Sequence, residues 1–269
     1  MRPIKIPEKV IKYFKSNLSK EEMCKQASAA YKAIHRKEPI VISVVMPAYN
    51  ESNNIVPALT SLCENKTNYN VEIIVVNNNS SDDTEALINA CGVTCVNEKK
   101  QGITVARNAG LQQASGTVVL NADADTIYPS NWISEMAEPL LKDNRIALTY
   151  GTFGTVPIGT TGRLVYFFYE HLAELTRSYN SFVKDQAVNV YGFNSGFRRA
   201  QGLQVDGFNH PEGTNEDGWL AVKLRNAGFG KLHRIGTNAM AWTTDRRIQM
   251  DGGLLAGLKK RLKRLFNLS

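Results

Sequence analysis

Thr117-Val118-Val119-Leu120-Asn121-Ala122-Asp123-Ala124-Asp125 reads as a buried apolar strand that runs out into two carboxylates one residue apart. The carboxyl ends of strands are where an α/β sheet presents its chemistry. Two acidic side chains at that spacing can converge on a hard divalent cation, which prefers oxygen ligands and can bridge the phosphates of a nucleotide. Carboxylate-x-carboxylate is also common in solvated loops, so its meaning rests on what surrounds it.

Upstream, Val41-Ile42-Ser43-Val44-Val45-Met46 is an apolar strand that stops at Pro47 and passes through Ala48-Tyr49-Asn50-Glu51 into a helical pattern. The plan then repeats. Val71 to Val76 is a second strand, and Asn77-Asn78-Asn79-Ser80-Ser81-Asp82-Asp83-Thr84 is a turn rich in helix-capping residues before Glu85-Ala86-Leu87-Ile88. A third strand is expected over Thr94 to Asn97, and Gly102 to Leu111 leads into a helix that ends before the strand running to Asp123. Strands alternating with short helices predict an α/β fold whose mostly parallel central sheet is flanked by helices.

The motifs fall in a recognisable order. Pro47-Ala48-Tyr49-Asn50-Glu51, the turn from Asn77 to Asp82, Ala106-Arg107-Asn108-Ala109-Gly110, Asp123-x-Asp125-Thr126, Gly192-Phe193-Asn194-Ser195-Gly196-Phe197-Arg198-Arg199 and Glu216-Asp217 together resemble the family 2 glycosyltransferases, over about residues 40 to 245. The resemblance implies a GT-A fold and an inverting transfer of a sugar from a nucleotide diphosphate donor to a hydroxyl of a glycan or lipid-linked acceptor, in surface polysaccharide or glycoconjugate synthesis. It places the catalytic domain at 39–245, between a basic helical extension at 1–38 and a basic amphipathic tail at 246–269.

The resemblance also suggests roles. A sugar leaves a nucleotide diphosphate only if the charge growing on the β-phosphate is stabilised, and Mn²⁺ or Mg²⁺ serves as that Lewis acid. Asp125 matches the principal metal ligand, with Asp123 assisting or meeting the ribose. Many relatives add a histidine near the end of the domain; here Ala241-Trp242-Thr243-Thr244-Asp245-Arg246-Arg247 has none, which leaves a third ligand open. Asp217 matches the base that takes the acceptor proton, and a helix N-terminus there would favour its ionised form. Glu216, Asn194 and Gly196 fall on the acceptor side, while Pro47, Tyr49, Glu51, Asn78 and Arg107 fall on the donor side. Relatives commonly carry two aspartates where this chain has Asn77 and Asn78; Asn78 offers both an acceptor and a donor, so the nucleotide stays open.

Composition is ordinary for a globular enzyme, with 43% apolar and 21% charged residues in 269. The net charge of +7 belongs to the ends: residues 1 to 38 carry +6, residues 254 to 269 carry +5, and the rest sums to −4. A basic stripe interleaved with stacking aromatics is missing from the middle, which argues against nucleic acid as a partner and for an anionic surface touched by the ends. Cys24, Cys63, Cys91 and Cys95 form no Cys-x-x-Cys pair and read as structural thiols. With no signal-like segment and no apolar run of spanning length, the expected location is cytoplasmic, peripheral on the inner face of the plasma membrane.

At the N-terminus, Val10, Ile11, Phe14 and Leu18 recur at helical spacing, and Ser19 with Glu22 has the spacing of a capping box for a second helix. At the other end, Leu254, Leu255, Leu258, Leu262, Leu265 and Phe266 share one helical arc, with Lys259, Lys260, Arg261, Lys263 and Arg264 around the remainder, the distribution of an interfacial helix. Arg163 to Leu175 is apolar over most of its circumference and is expected in the core, the alternative being a floor for a lipid-linked acceptor. Two further classes stay open: a nucleotidyltransferase, against which the lack of a Gly-rich phosphate loop after Met46 counts, and a non-catalytic nucleotide-sugar or glycan-binding module, which would not need Asp217.

Overall fold

The structure, a computed structural model, describes residues 2–183, 185–250, 252–254 and 256–257. Its strands are β1 (Ile42–Ala48), β2 (Val71–Asn77), β3 (Thr94–Asn97), β4 (Val118–Asn121), β5 (Thr126–Ile127), β6 (Ile146–Tyr150), β7 (Phe153–Val156), β8 (Ser195–Arg198), β9 (Lys231–Arg234) and β10 (Ala241–Thr244). The helices are α1 (Glu8–Phe14), α2 (Lys20–Ile34), α3 (Ile55–Cys63), α4 (Thr84–Ala90), α5 (Ile103–Gln113), α6 (Trp132–Lys142), α7 (Arg163–Val183), α8 (Arg199–Gln204), α9 (Glu216–Asn226) and α10 (Arg246–Met250).

A seven-stranded sheet runs in the order β3–β2–β1–β4–β8–β6–β9. All neighbours are parallel except β8, which lies antiparallel to both β4 and β6. The α/β expectation and the mostly parallel sheet therefore hold. A second sheet, β5–β10–β7, closes one end of the molecule.

Alternation along the strands decides which helices lie where, because successive side chains leave a strand on opposite faces. Val44, Met46, Ile73, Val75, Val118 and Leu120 point into a core shared with α2, α3 and α6. Val45, Ile74, Val76 and Val119 point into one shared with α5 and α9. Each strand being buried on both faces explains its unbroken apolar run. On α5, a β-carbon at Gly110 would lie 2.3 Å from Val45 Cγ1, so the glycine is what lets this helix press onto β1 and fixes the depth of Arg107 one turn earlier.

The N-terminal helices pack onto this body. Ser19 and Glu22 form the expected capping box, and Met23, Cys24, Ala27, Tyr31 and Ile34 bury one face of α2. Leu18 departs from expectation: α1 stops at Phe14 and Leu18 is exposed. The four cysteines are free thiols. No helix among the described residues is long and apolar enough to cross a membrane. The tail expected to be amphipathic lies mostly outside the described residues, with Leu255 and all residues from 258 onward among those not described.

The core expectation for Arg163 to Leu175 needs correction. Tyr166, Glu170 and Ala173 are buried, whereas Leu164, Val165, Phe168, Leu172 and Leu175 are exposed. The buried side of α7 is partly ionic, so the apolar residues were left for the outside.

Candidate functional site

The site is built where β4 ends. Beyond Asn121 the chain turns through Asp123 and Asp125 into β5. The turn is held by Tyr128, whose hydroxyl accepts from the Asp123 amide at 2.8 Å and donates to the Phe193 carbonyl at 3.0 Å. Tyr128 is buried among apolar groups, which pushes its phenol well above its ordinary pKa and keeps the hydroxyl protonated as a donor.

Arg107 organises the acidic residues. It is 2% exposed, yet its guanidinium donates to the Gly192 carbonyl at 3.1 Å and to Asp123 at 3.2 Å. Its Nε lies 3.5 Å from Asp217 Oδ1 and 3.7 Å from Glu216. Burial alone would lower the arginine pKa; Asp217, Asp123 and Glu216 outweigh it and hold the cation more firmly charged. Acids from two distant segments, Asp123 and the adjacent Glu216 and Asp217, thus converge on one buried cation.

Gly192 makes this packing feasible, since a β-carbon there would sit 2.2 Å from both Arg107 Nη2 and Asp217 Oδ1. Asp217 enters from the first turn of α9, capped by the Asn215 side chain, which accepts from Gly218 N–H. Burial raises the Asp217 carboxyl above the ordinary range, against the pull of Arg107. Its buried Oδ1 has no hydrogen-bond partner, and neither does Arg107 Nε beside it. A buried carboxylate oxygen without a hydrogen-bond partner is uncommon, and such groups gather at functional sites. Burial likewise raises Asp123, to about 6 despite Arg107, with Asp125 and Asp217 adding to the rise; because its side chain keeps 30% exposure, solvent screens part of this.

Asp125 belongs to a second cluster. Arg246, at the start of α10, places Nη2 at 2.9 Å from Asp125 Oδ2 and 2.5 Å from Glu51 Oε1. Asp245 fixes this helix start from a fully buried position, accepting from the Ile158 amide at 2.9 Å and the Tyr166 hydroxyl at 2.6 Å. Arg246 was invisible to motif reading, being 121 residues from Asp125 in a stretch noted only for lacking a histidine. Arg247 acts on Asp123 and Asp217 by charge as well.

Carboxylate oxygens of Asp125 and Asp123 suit a hard divalent cation, and the guanidinium already resting on Asp125 and Glu51 shows that this place attracts positive charge. Among the described residues no three His, Cys, Asp or Glu side chains are arranged to hold a metal. A cation here would take part of its coordination from other oxygens, as Mg²⁺ commonly does from phosphates and water.

The donor-side residues separate. Tyr49 is exposed at the mouth, Pro47 is half-buried within β1, and Glu51 is tied to Asn54 and Arg246. Asn78 is buried, donates to the carbonyls of Glu98 and Lys100 and accepts from Gly102 N–H, so its amide shapes the 98–102 loop and only one carbonyl lone pair remains for a base. Asn194 and Gly196, expected on the acceptor side, are held among protein groups. Asn194 is interior, accepting from Trp132 Nε1 and donating to Thr152 O, and Gly196 sits mid-sheet between β4 and β6, where a β-carbon would strike Leu120.

The profile of glycosyl transferase family 2 matches residues 43–201, more than half of the chain. The chain belongs to this family. A glucosyltransferase of Escherichia coli, WfgD, described as acting with UDP-Glc on α-D-GlcNAc-diphosphoundecaprenol, is 30% identical over 117 residues, which are 42% of this chain and 46% of that protein. The chain spans less than half the length of the curated relatives it matches. Among solved structures, S. aureus TarS 1-349 in complex with UDP-GlcNAc superposes with a TM-score of 0.58 at 18% identity, covering 77% of this chain and 59% of that one. The mannosyltransferase PcManGT from Pyrobaculum calidifontis, in complex with GDP-Man and Mn²⁺, gives 0.57 at 20% identity, covering 87% and 67%. At these identities the likeness establishes the GT-A fold.

Proposed function

We propose that this protein transfers a sugar, with inversion, from a nucleoside diphosphate donor to a hydroxyl of a glycan or lipid-linked acceptor, in polysaccharide or glycoconjugate synthesis. The observation that carries the reading is the convergence of Asp123, Glu216 and Asp217 on buried Arg107 at the exit of β4. Asp217 is the base, with its unpartnered Oδ1 taking the acceptor proton as the hydroxyl attacks. Its raised pKa makes it a stronger base than an ordinary carboxylate, and Arg107 keeps it oriented.

Asp125, assisted by Asp123, would hold Mn²⁺ or Mg²⁺, and that ion supplies Lewis-acid stabilisation of the departing diphosphate. Arg246 gives up Asp125 on donor binding and turns its guanidinium to the phosphates, which it suits as a planar donor of several N–H groups. Pro47, Tyr49 and the free lone pair of Asn78 border the nucleotide. The two structural neighbours were solved with UDP-GlcNAc and GDP-Man, a uracil and a guanine nucleotide sugar, so both classes belong in the donor panel. A peripheral position on an anionic membrane, through the basic tail, is part of the reading, with residues 39–245 as the catalytic domain.

Thermal stabilisation by a panel of nucleotide sugars, each with and without Mn²⁺, tests the donor reading. A ligand that binds only the folded state at about 100 times its Kd adds about 2.7 kcal/mol of stability. One donor class should stand out and depend on Mn²⁺. A flat panel would refute it.

A further inference from the structure

Helix α7 is amphipathic in the wrong direction for a helix facing water. At 100° per residue, Leu164, Val165, Phe168, Leu172, Leu175 and Tyr179 fall within about a 100° arc, and all six are exposed, Phe168 and Leu175 at 64% and 69%. The charged residues of α7 point the other way. Glu170 pairs with Arg163 and Arg2, and Glu174 with Arg2, Arg177 and Arg234. A surface helix of a water-soluble body normally buries its apolar stripe and exposes its charges. Here the ionic side is satisfied against the protein, and the apolar stripe runs for roughly 22 Å along the outside, at 1.5 Å per residue. Ile158 and Val188, in segments that flank α7 in the chain, are exposed as well. An apolar patch of this extent marks a surface that something covers.

We infer that the α7 stripe lies in the headgroup boundary of an anionic lipid bilayer. This rests on the membrane-borne acceptor of the preceding reading and adds the surface that meets the membrane. Two observations choose the occupant. The chain passes α7 at Gly257, where a β-carbon would lie 3.2 Å from the Tyr169 hydroxyl, and then continues into Lys259, Lys260, Arg261, Lys263 and Arg264 with no acidic residue. An exposed apolar stripe on a chain whose sequence continues into five cations complements an anionic leaflet. No described helix is long and apolar enough to span a bilayer.

The same helix leads to the chemistry. Tyr166, on its inward side, binds Asp245, and the next residue, Arg246, rests on Asp125 and Glu51.

Co-sedimentation with vesicles of phosphatidylcholine and phosphatidylglycerol tests this on the full chain. Three proteins are compared across a salt series: the wild type, Phe168→Ser/Leu175→Ser, and Lys259→Gln/Lys260→Gln/Lys263→Gln. Both altered stripe positions are solvent-exposed, and unchanged thermal stability and nucleotide binding verify the fold. The wild type should sediment at low salt. The stripe variant should lose about tenfold or more in partitioning, the scale of two large apolar side chains left out of the lipid. Its loss should persist at high salt, where the electrostatic share contributed by the lysines fades. If the stripe variant partitions like the wild type while the lysine variant does not, the tail alone binds membranes and the α7 inference falls with the peripheral reading intact. If the wild type ignores the vesicles, both fall. If the wild type is a dimer that the stripe substitutions dissociate, a second copy covers the stripe and the inference is overturned.

Discussion

Replacing Arg107 with methionine keeps most of the side-chain volume and removes the charge on which three carboxylates converge. The guanidinium is 3% exposed, and the side chains it faces, Asp123, Glu216 and Asp217, are 30%, 14% and 12% exposed. Removing one partner from a buried ionic group typically costs about 3–5 kcal/mol. The carboxylates can limit that loss by taking up protons. Holding one carboxyl neutral costs about 5 kcal/mol at about pH 7.5 but only about 1.5 kcal/mol at about pH 5, given an ordinary pKa near 3.9. For a chain of this size each kcal/mol moves Tm by about 2–4 °C, so the variant should melt roughly 6–20 °C below the wild type at neutral pH.

The sign of the pH dependence follows from the same groups. Without Arg107 the pKa values of Asp123 and Asp217, already raised by burial, rise further above the unfolded ones, so their contribution is present below the unfolded pKa and lost as pH rises through the folded one. The deficit should therefore narrow by half or more between about pH 7.5 and pH 5. Differential scanning calorimetry of both proteins across that range is the assay, with Arg107→Met/Glu216→Gln expected to recover part of the loss. An unchanged Tm, or a deficit equal at both ends of the range, would refute the view that Arg107 is the countercharge of the cluster.

Asp125→Asn should remove most metal-enhanced donor binding while preserving Tm, read by calorimetric titration with and without Mn²⁺, because a neutral amide is a poor substitute for a ligand carboxylate. Arg246→Gln should bind Mn²⁺ more tightly than the wild type when no donor is present, since the guanidinium no longer occupies Asp125 and Glu51, yet turn over more slowly; electron paramagnetic resonance of free Mn²⁺ reads the first effect. Gly192→Ala should cost turnover by forcing Arg107 and Asp217 apart, visible as a fall in kcat with the fold retained. The acid limb of the pH–rate profile should lie above the ordinary carboxylate range, because Asp217 must be ionised to act and burial raises both it and Asp123; the limb belongs to the cluster as a whole.

Sequence patterning reached β1, β2 and β4 because those strands are buried on both faces and read as mostly apolar runs, whereas edge strand β3 is largely exposed. It reached the capping box of α2 and the start of α9 because capping is local chemistry. The second sheet was not legible: β5 is two residues long, and its partners β7 and β10 come from far along the chain. Pattern alone also missed Arg246, whose contacts depend on where α10 is set by buried Asp245. Asn194 and Asn78 show what a motif cannot reveal. Asn194 spends its amide on Trp132 and Thr152, and Asn78 spends all but one carbonyl lone pair on the 98–102 loop. The α7 stripe misled because a helix apolar over most of its surface reads as core, and nothing local reveals that Glu170 and Glu174 claim the inward face.

The central claim is that Asp217 takes the acceptor proton during sugar transfer, and the most direct test is nucleoside diphosphate release by wild type and Asp217→Asn with the donor selected by the nucleotide-sugar panel, Mn²⁺ and acceptor. The wild type should release nucleoside diphosphate only when acceptor is present, and the variant should bind donor equally well but turn over about a hundredfold or more slowly. Near-native turnover in the variant would contradict the assignment of the base. Pyrophosphate release by the wild type, or donor binding without any release, would contradict glycosyl transfer itself.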